Sequence, residues 1–212
     1  MIQNFARPGT RLAYRLGQGL AAVTLAATLA GCVATEGTTS LSTSGQMPPM
    51  QWDQRPEGRE WTRNTLDALQ DHDAMLAATV PADVATWCPG YADASIEDRR
   101  AFWAGLMSAV ARYESTWNPQ ASGGGGRYIG VMQISPVSAS YHQCEANTVS
   151  ELKDGSENLE CATRMMAKAV ARDGLVVGGG NRGIGRDWMP FRNAEKRAAM
   201  AAWTRAQPYC QG

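Results

Sequence analysis

The chain has 212 residues, 44% hydrophobic and 19% charged, with 20 Lys+Arg against 20 Asp+Glu and a net charge of zero. That balance excludes a strongly basic nucleic-acid-binding domain. The five Cys and two His stand at wide, irregular spacings with no C-x-x-C pair, so no metal site and no cofactor are expected.

The first element is an address. Arg7, Arg11 and Arg15 make a positive stretch, and Leu20 to Ala30 run almost wholly apolar. A bilayer span needs about 20 apolar residues, so this run fits the core of a signal peptide instead. It ends in Leu29-Ala30-Gly31-Cys32, which resembles the cleavage box of bacterial lipoproteins. The resemblance implies removal of residues 1–31 and lipidation of Cys32. It also implies a periplasmic protein, with Val33 rather than Asp after the cysteine favouring the outer membrane. The shortened chain loses three Arg and no acids, which leaves 17 basic against 20 acidic residues and a charge of −3.

Residues 32–56 are rich in Ser, Thr, Gly and Pro and offer few apolar groups to offset ordering entropy, so they are expected to form a flexible tether. Residues 57–212 are expected to form one mainly α domain. Its first helix is expected over 57–77, with Trp61, Leu66, Leu69 and Leu76 at helical spacing. A second starts after Ser95 as N-cap, with Glu97 and Asp98 in its first turn and an apolar stripe through Phe102, Trp103, Leu106, Met107 and Val110. A third spans about 158–172, and a last one runs from about Asn193 to Ala206 before Pro208. Four cysteines follow Cys32, which in an exported chain implies two disulfides out of three possible connectivities. Cys144–Cys161, closing a short loop, and Cys88–Cys210, tying the start of the domain to its end, are the expected pairs.

Glu114 stands four residues after Val110 and seven after Met107, so it continues the buried stripe of the second helix. Asn118-Pro119 stops that helix, because a residue before proline avoids the α region. A carboxyl group on the inner side of a helix C-terminus is desolvated and faces the negative end of the macrodipole. Both effects raise its pKa and suit it to general acid work. A Glu paired with a nearby backbone group or reaching out to solvent satisfies the same periodicity.

The segment Glu114-Ser115, Asn118-Pro119, Gly130, Met132-Gln133-Ile134 and Pro136, followed by Asn158-Leu159 and Ala162, resembles the soluble lytic transglycosylase family. The likeness spans roughly residues 100–172. It implies a lysozyme-like helical domain with a substrate groove, acting on the glycan strands of peptidoglycan. In that family Glu114 would protonate the oxygen between N-acetylmuramic acid and N-acetylglucosamine. It would then take the proton of the muramoyl 6-hydroxyl as a 1,6-anhydro ring closes. By the same carry-over Gln133 contacts substrate or orients the acid, Ser115 and Asn118 hold the helix end and loop, Ser122 stands near a groove serine, and Ser115 and Asn158 of the following helix are also expected to contact substrate. The family also has a later Ala-Tyr-Asn segment whose tyrosine reaches the acid. Here Gly180-Asn181-Arg182-Gly183 occupies that region, leaving Tyr128 or Tyr141 to stand in. A hydrolytic muramidase and an inactive glycan-binding assembly lipoprotein are the rival readings. An anchored wall protein also has envelope or secretion machinery as a possible class of partner.

Usual glycosidases use two carboxylates. Glu145, Glu151, Asp154, Glu157 and Glu160 are the available partners, and none sits in a recognisable motif. Gly178, Gly180 and Gly183 satisfy G-x-G-x-x-G without the strand and βαβ unit that a dinucleotide site needs, so the stretch reads as a loop beside the groove or a connector. Trp188 and Phe191 are candidates to stack on sugar rings, with core packing the alternative for both.

Overall fold

A computed structural model describes residues 46–211. The expected signal segment 1–31, Cys32 and most of the expected tether lie outside the described residues. Among the described residues the α-helices are Gly58–Gln70 (α1), Val84–Trp87 (α2), Ile96–Glu114 (α3), Pro136–His142 (α4), Gly155–Asp173 (α5) and Ala194–Arg205 (α6). A two-stranded hairpin, Ser122–Gly123 (β1) against Tyr128–Ile129 (β2), lies between α3 and α4. None of these helices is long and apolar enough to cross a membrane.

Helix α3 is the axis of the domain. The Ser95 hydroxyl accepts the Asp98 amide at 3.1 Å as its N-cap, with Glu97 and Asp98 favourably placed in the first turn. Every residue from Ala101 to Ala111 is buried, so α3 is enclosed on all sides rather than along the one expected stripe. Gly105 permits this closeness. A Cβ there would collide with the Tyr209 hydroxyl. Tyr91 packs edge to face on both Phe102 and Trp103 of α3, and the indole of Trp103 donates to the Tyr91 hydroxyl at 2.9 Å.

Helix α1 ends at Gln70 rather than at 77, and 71–79 fold into successive turns. Asp71, His72 and Asp73 are poor helix formers, and the Asp73 carboxylate turns to meet Arg100 of α3. Helix α5 begins earlier than expected because the Asp154 carboxylate caps the Ser156 and Glu157 amides. Asn193, the expected approximate start of the last helix, caps α6 through the Lys196 amide.

The expected tether boundary at 56 falls too late. Met50 and Trp52 are buried, the Gln51 amide donates to the Ser108 hydroxyl at 3.0 Å, and the Trp52 indole donates to Thr62 at 2.8 Å. Trp52 also meets Trp61 edge to face. The packed chain therefore begins at about Met50, because a large aromatic side chain gains more from burial than this stretch loses by ordering.

Both expected disulfides are present. Cys88–Cys210 joins the end of α2 to the C-terminal turn, and Cys144–Cys161 joins the chain after α4 to α5. The Gly-rich stretch after α5 is a set of 3-10 turns, not a slack connector. The Asp83 carboxylate accepts the amides of Val176, Val177 and Gly178, and Asp173 accepts that of Gly183 while pairing with Arg186.

Candidate active site

Glu114 is the last residue of α3 and is half-buried. Beyond it Thr116 and Trp117 both take positive φ, 53° and 56°, which turns the chain away from the helix axis. The turn is held by its own groups. The Trp117 indole donates to the Ser108 carbonyl at 2.9 Å, and the Asn118 carboxamide oxygen accepts the Gln120 amide at 2.9 Å. The Ser115 hydroxyl donates to the Val131 carbonyl at 2.8 Å and accepts the Asn118 amide at 3.2 Å.

The Val131 carbonyl belongs to the turn 130–134, which returns from the hairpin. Gly130 has φ 79°, and a Cβ there would strike the Leu152 carbonyl and the Asn158 amide, so glycine is required on both counts. Asn158 is fully buried at the centre of this loop system. Its oxygen accepts the Met132 amide at 2.8 Å, and its nitrogen donates to the Ile129 and Leu152 carbonyls, each at 3.0 Å. Ile129 and Ile134 pair across the turn. The result is a rigid wall of hairpin and turn beside the end of α3.

Within that wall the Gln133 carboxamide donates to the Gly130 carbonyl at 2.9 Å, and its oxygen lies against Gly123. Gln133 is half-buried, at φ 50°. Ser122 is exposed on β1, and the Tyr128 ring is 42% exposed and packs on Gly124. Tyr141 is 81% exposed on α4, with its ring edge to face with His142.

Two expected substrate contacts are corrected. Asn158 has no exposed surface and its amide is committed to three backbone partners, so it braces the loops and cannot touch a glycan. Trp188 is 3% exposed and its indole donates to the Met132 carbonyl at 3.1 Å, so it supports the wall from behind and offers no face to a sugar. Ser115 likewise spends its hydroxyl on the backbone.

Burial pushes the Glu114 carboxyl up to about 7, and Lys196 on α6 opposes the shift. Among the described residues no group hydrogen-bonds this side chain. A carboxyl so placed is half protonated near neutrality and can both give and take a proton. The candidate second carboxylates are engaged elsewhere or lie on the surface. Glu151 accepts the Asn147 and Thr148 amides, Asp154 caps α5, and Glu145 and Glu157 are exposed. The Glu160 carboxyl is raised by partial burial and by Glu157 and Glu145, so it belongs to that acidic face.

Lys196 and its neighbour Tyr113 were not singled out from sequence. The motif likeness ran out at residue 172, and a lysine on a polar helix face carries no signal of its own. Its place in the first turn of α6 was the available clue, since a cation there opposes the helix dipole.

The Transglycosylase SLT domain model matches residues 94–202, from just before the cap of α3 into α6. The match therefore takes in the glycine-rich turns and most of α6, beyond the motif likeness. Solved structures of DslA (Bd0314) superpose on 78% of this chain and 100% of theirs at 25% identity. The wild-type form gives a TM-score of 0.70, and two variants with a glutamate replaced by glutamine give 0.71 and 0.69. No curated protein matches the chain in sequence.

Proposed function

Because the chain belongs to the transglycosylase SLT family, a membership that implies lytic-transglycosylase-type action on peptidoglycan, we propose that Glu114 is its single catalytic acid and base. The protonated carboxyl gives its proton to the glycosidic oxygen between N-acetylmuramic acid and N-acetylglucosamine. The C1–O bond breaks, and the 2-acetamido oxygen of the muramoyl ring supports the positive charge at C1. The Glu114 carboxylate then takes the proton of the 6-hydroxyl as O6 bonds to C1. The glycan chain ends in a 1,6-anhydro ring, Glu114 regains its proton, and no water is consumed.

The observation that carries this reading is the half-buried Glu114 carboxyl at the end of α3, poised near neutrality, while Glu151 and Asp154 are engaged with backbone amides elsewhere. A hydrolytic enzyme of the two-carboxylate kind needs a second acid about 5–10 Å away. A substrate that supplies its own nucleophile needs none. Gln133, Ser122, Tyr128 and Tyr141 are proposed to contact the strand along the hairpin and α4.

Digestion of purified peptidoglycan followed by mass spectrometry of the products tests the proposal. The expected result is 1,6-anhydromuramoyl ends from the wild type and none from Glu114→Gln, with circular dichroism verifying that the variant is folded. Reducing muramoyl ends would make water the acceptor and the protein a muramidase. Equal inactivity of both proteins would make it a glycan-binding lipoprotein.

The reading extends to location. Cys32 is proposed to carry lipid and hold the domain at the outer membrane, facing the periplasm. Fatty-acid labelling that survives in Cys32→Ala would refute the anchor.

A further inference from the structure

Lys196 has no local reason to be where it is. It is the third residue of α6, where Asn193 caps its amide, and a cation in a first turn faces the positive end of the helix dipole. Glu195, one residue earlier, is the charge that this end favours. The Lys196 side chain is exposed and makes no ion pair with any described residue. Its ammonium instead lies 5.3 Å from the centroid of the Tyr113 ring. Tyr113 immediately precedes Glu114 and is itself half-buried against the core, so the ring is a fixed seat. The lysine is thus held beside the acid by a weak contact, at some expense to its own helix.

We propose that Lys196 is a substrate-anchoring residue that receives the carboxylate borne by the muramoyl unit at Glu114, on its lactyl group or on the stem peptide attached there. This rests on the reading of Glu114 given above. The ring whose C1 is released at Glu114 is the one that carries a lactyl ether on O3, so its carboxyl group enters the site with the reacting bond. The ammonium sits over the ring of Tyr113, the residue next to Glu114 in the chain, and its charge opposes the upward shift of the Glu114 carboxyl. An incoming carboxylate would pair an unpaired cation and relieve its conflict with the helix end. A neutral N-acetylglucosamine in that position has no carboxylate to offer the ammonium. The lysine would therefore select muramoyl over glucosaminyl units, a choice that Glu114 cannot make.

Arg112 provides the internal control. It also approaches the Tyr113 ring, at 5.8 Å, and is exposed, but it stands on α3 itself, two residues before Glu114, and not on the facing helix α6.

The test is calorimetric binding in the Glu114→Gln background at low salt, with chitotetraose, a peptide-free tetrasaccharide of alternating N-acetylglucosamine and N-acetylmuramic acid, and the same tetrasaccharide bearing stem peptides. At least one muramoyl ligand is expected to bind about tenfold more tightly than chitotetraose, as for a partly exposed charge-assisted hydrogen bond. Adding Lys196→Gln is expected to erase that preference with unchanged thermal stability, Lys196→Arg to keep most of it, and Arg112→Ala to leave it intact. Loss confined to the peptide-free ligand identifies the lactyl carboxylate, and loss confined to the peptide-bearing one identifies the stem. Equal affinity for all three ligands, no binding to any, a preference that survives Lys196→Gln, or an equal loss in Arg112→Ala overturns the proposal. Failure of the Glu114 reading registers separately, as turnover by Glu114→Gln in the peptidoglycan digest.

Discussion

The Ser115 hydroxyl and the Val131 carbonyl, 2.8 Å apart, join the end of α3 to the turn that carries Gln133. This bond fixes the acid and the loop wall as one unit. Ser115→Ala leaves the carbonyl of a buried residue without its partner. It is expected to cost about 1–2 kcal/mol in urea denaturation. Activity on peptidoglycan should fall further, by about ten- to a hundredfold, because small displacements of a reacting group are costly.

The protonation of Glu114 sets a pH limit. With its carboxyl at about 7, the acid form is lost as pH rises through neutrality. The alkaline limb of kcat/KM should therefore have an apparent pKa near 7. Replacing Lys196 by glutamine removes the group that opposes the shift and should move that limb upward. A limb that stays in place in this variant would show that the lysine does not reach the acid in solution.

Stability responds to the same group with a definite sign. Below pH 4.5 the carboxyl is protonated in both folded and unfolded chains. Between 4.5 and about 7 the unfolded chain has released the proton and the folded one has not. Stability from this group therefore declines as pH rises across that window, by at most about 3 kcal/mol. Glu114→Gln should flatten the decline in denaturation curves taken between pH 4 and 8 and be the more stable protein at neutrality.

Asn158 is a buried polar side chain that ties the hairpin and its returning turn, at Ile129 and Met132, to Leu152. Asn158→Leu strands the Met132 amide and the Leu152 carbonyl and removes one of the two donors to the Ile129 carbonyl, and the expected loss is about 3 kcal/mol or more. Asn158→Asp can still accept from Met132 but cannot donate to the carbonyls, so it should also be destabilised. Guanidinium denaturation checks both.

The Cys144–Cys161 bridge closes a 17-residue separation between the chain after α4 and α5. Replacing both cysteines by serine should cost about 3 kcal/mol by the loop-entropy relation. Thermal melts with and without reductant should show the wild type falling to the level of the variant only if Cys88–Cys210 stays intact. Mass mapping under the same conditions verifies that.

Much of this was legible in the residues. A capping residue announced α3, because Ser95 bonds the backbone locally whatever surrounds it, and the end of α6 was announced by Pro208. Glu114 was legible because the 3.6-residue period and Pro119 fix its face and the helix end together. The roles of Asn158 and Trp188 were not, since the same residue types serve a groove or a brace, and only tertiary contacts separate the two. Helix α4 escaped notice because seven residues carry too little periodicity, although Ser135-Pro136 is a good helix start. The complete enclosure of α3 was hidden by its Ala and Ser positions, which read as polar or neutral but fit where neighbouring elements come close.

Ser108 is where the beginning of the folded chain meets the bend after Glu114. Its hydroxyl receives the Gln51 amide and its carbonyl receives the Trp117 indole. An excised catalytic fragment trimmed to residue 57 would forfeit Gln51 and Trp52, leave Thr62 without its indole partner, and loosen the helix segment on which Trp117 hangs. A minimal folded fragment has to keep Met50 and the residues just ahead of it, because the contacts that seat the bend after Glu114 begin there.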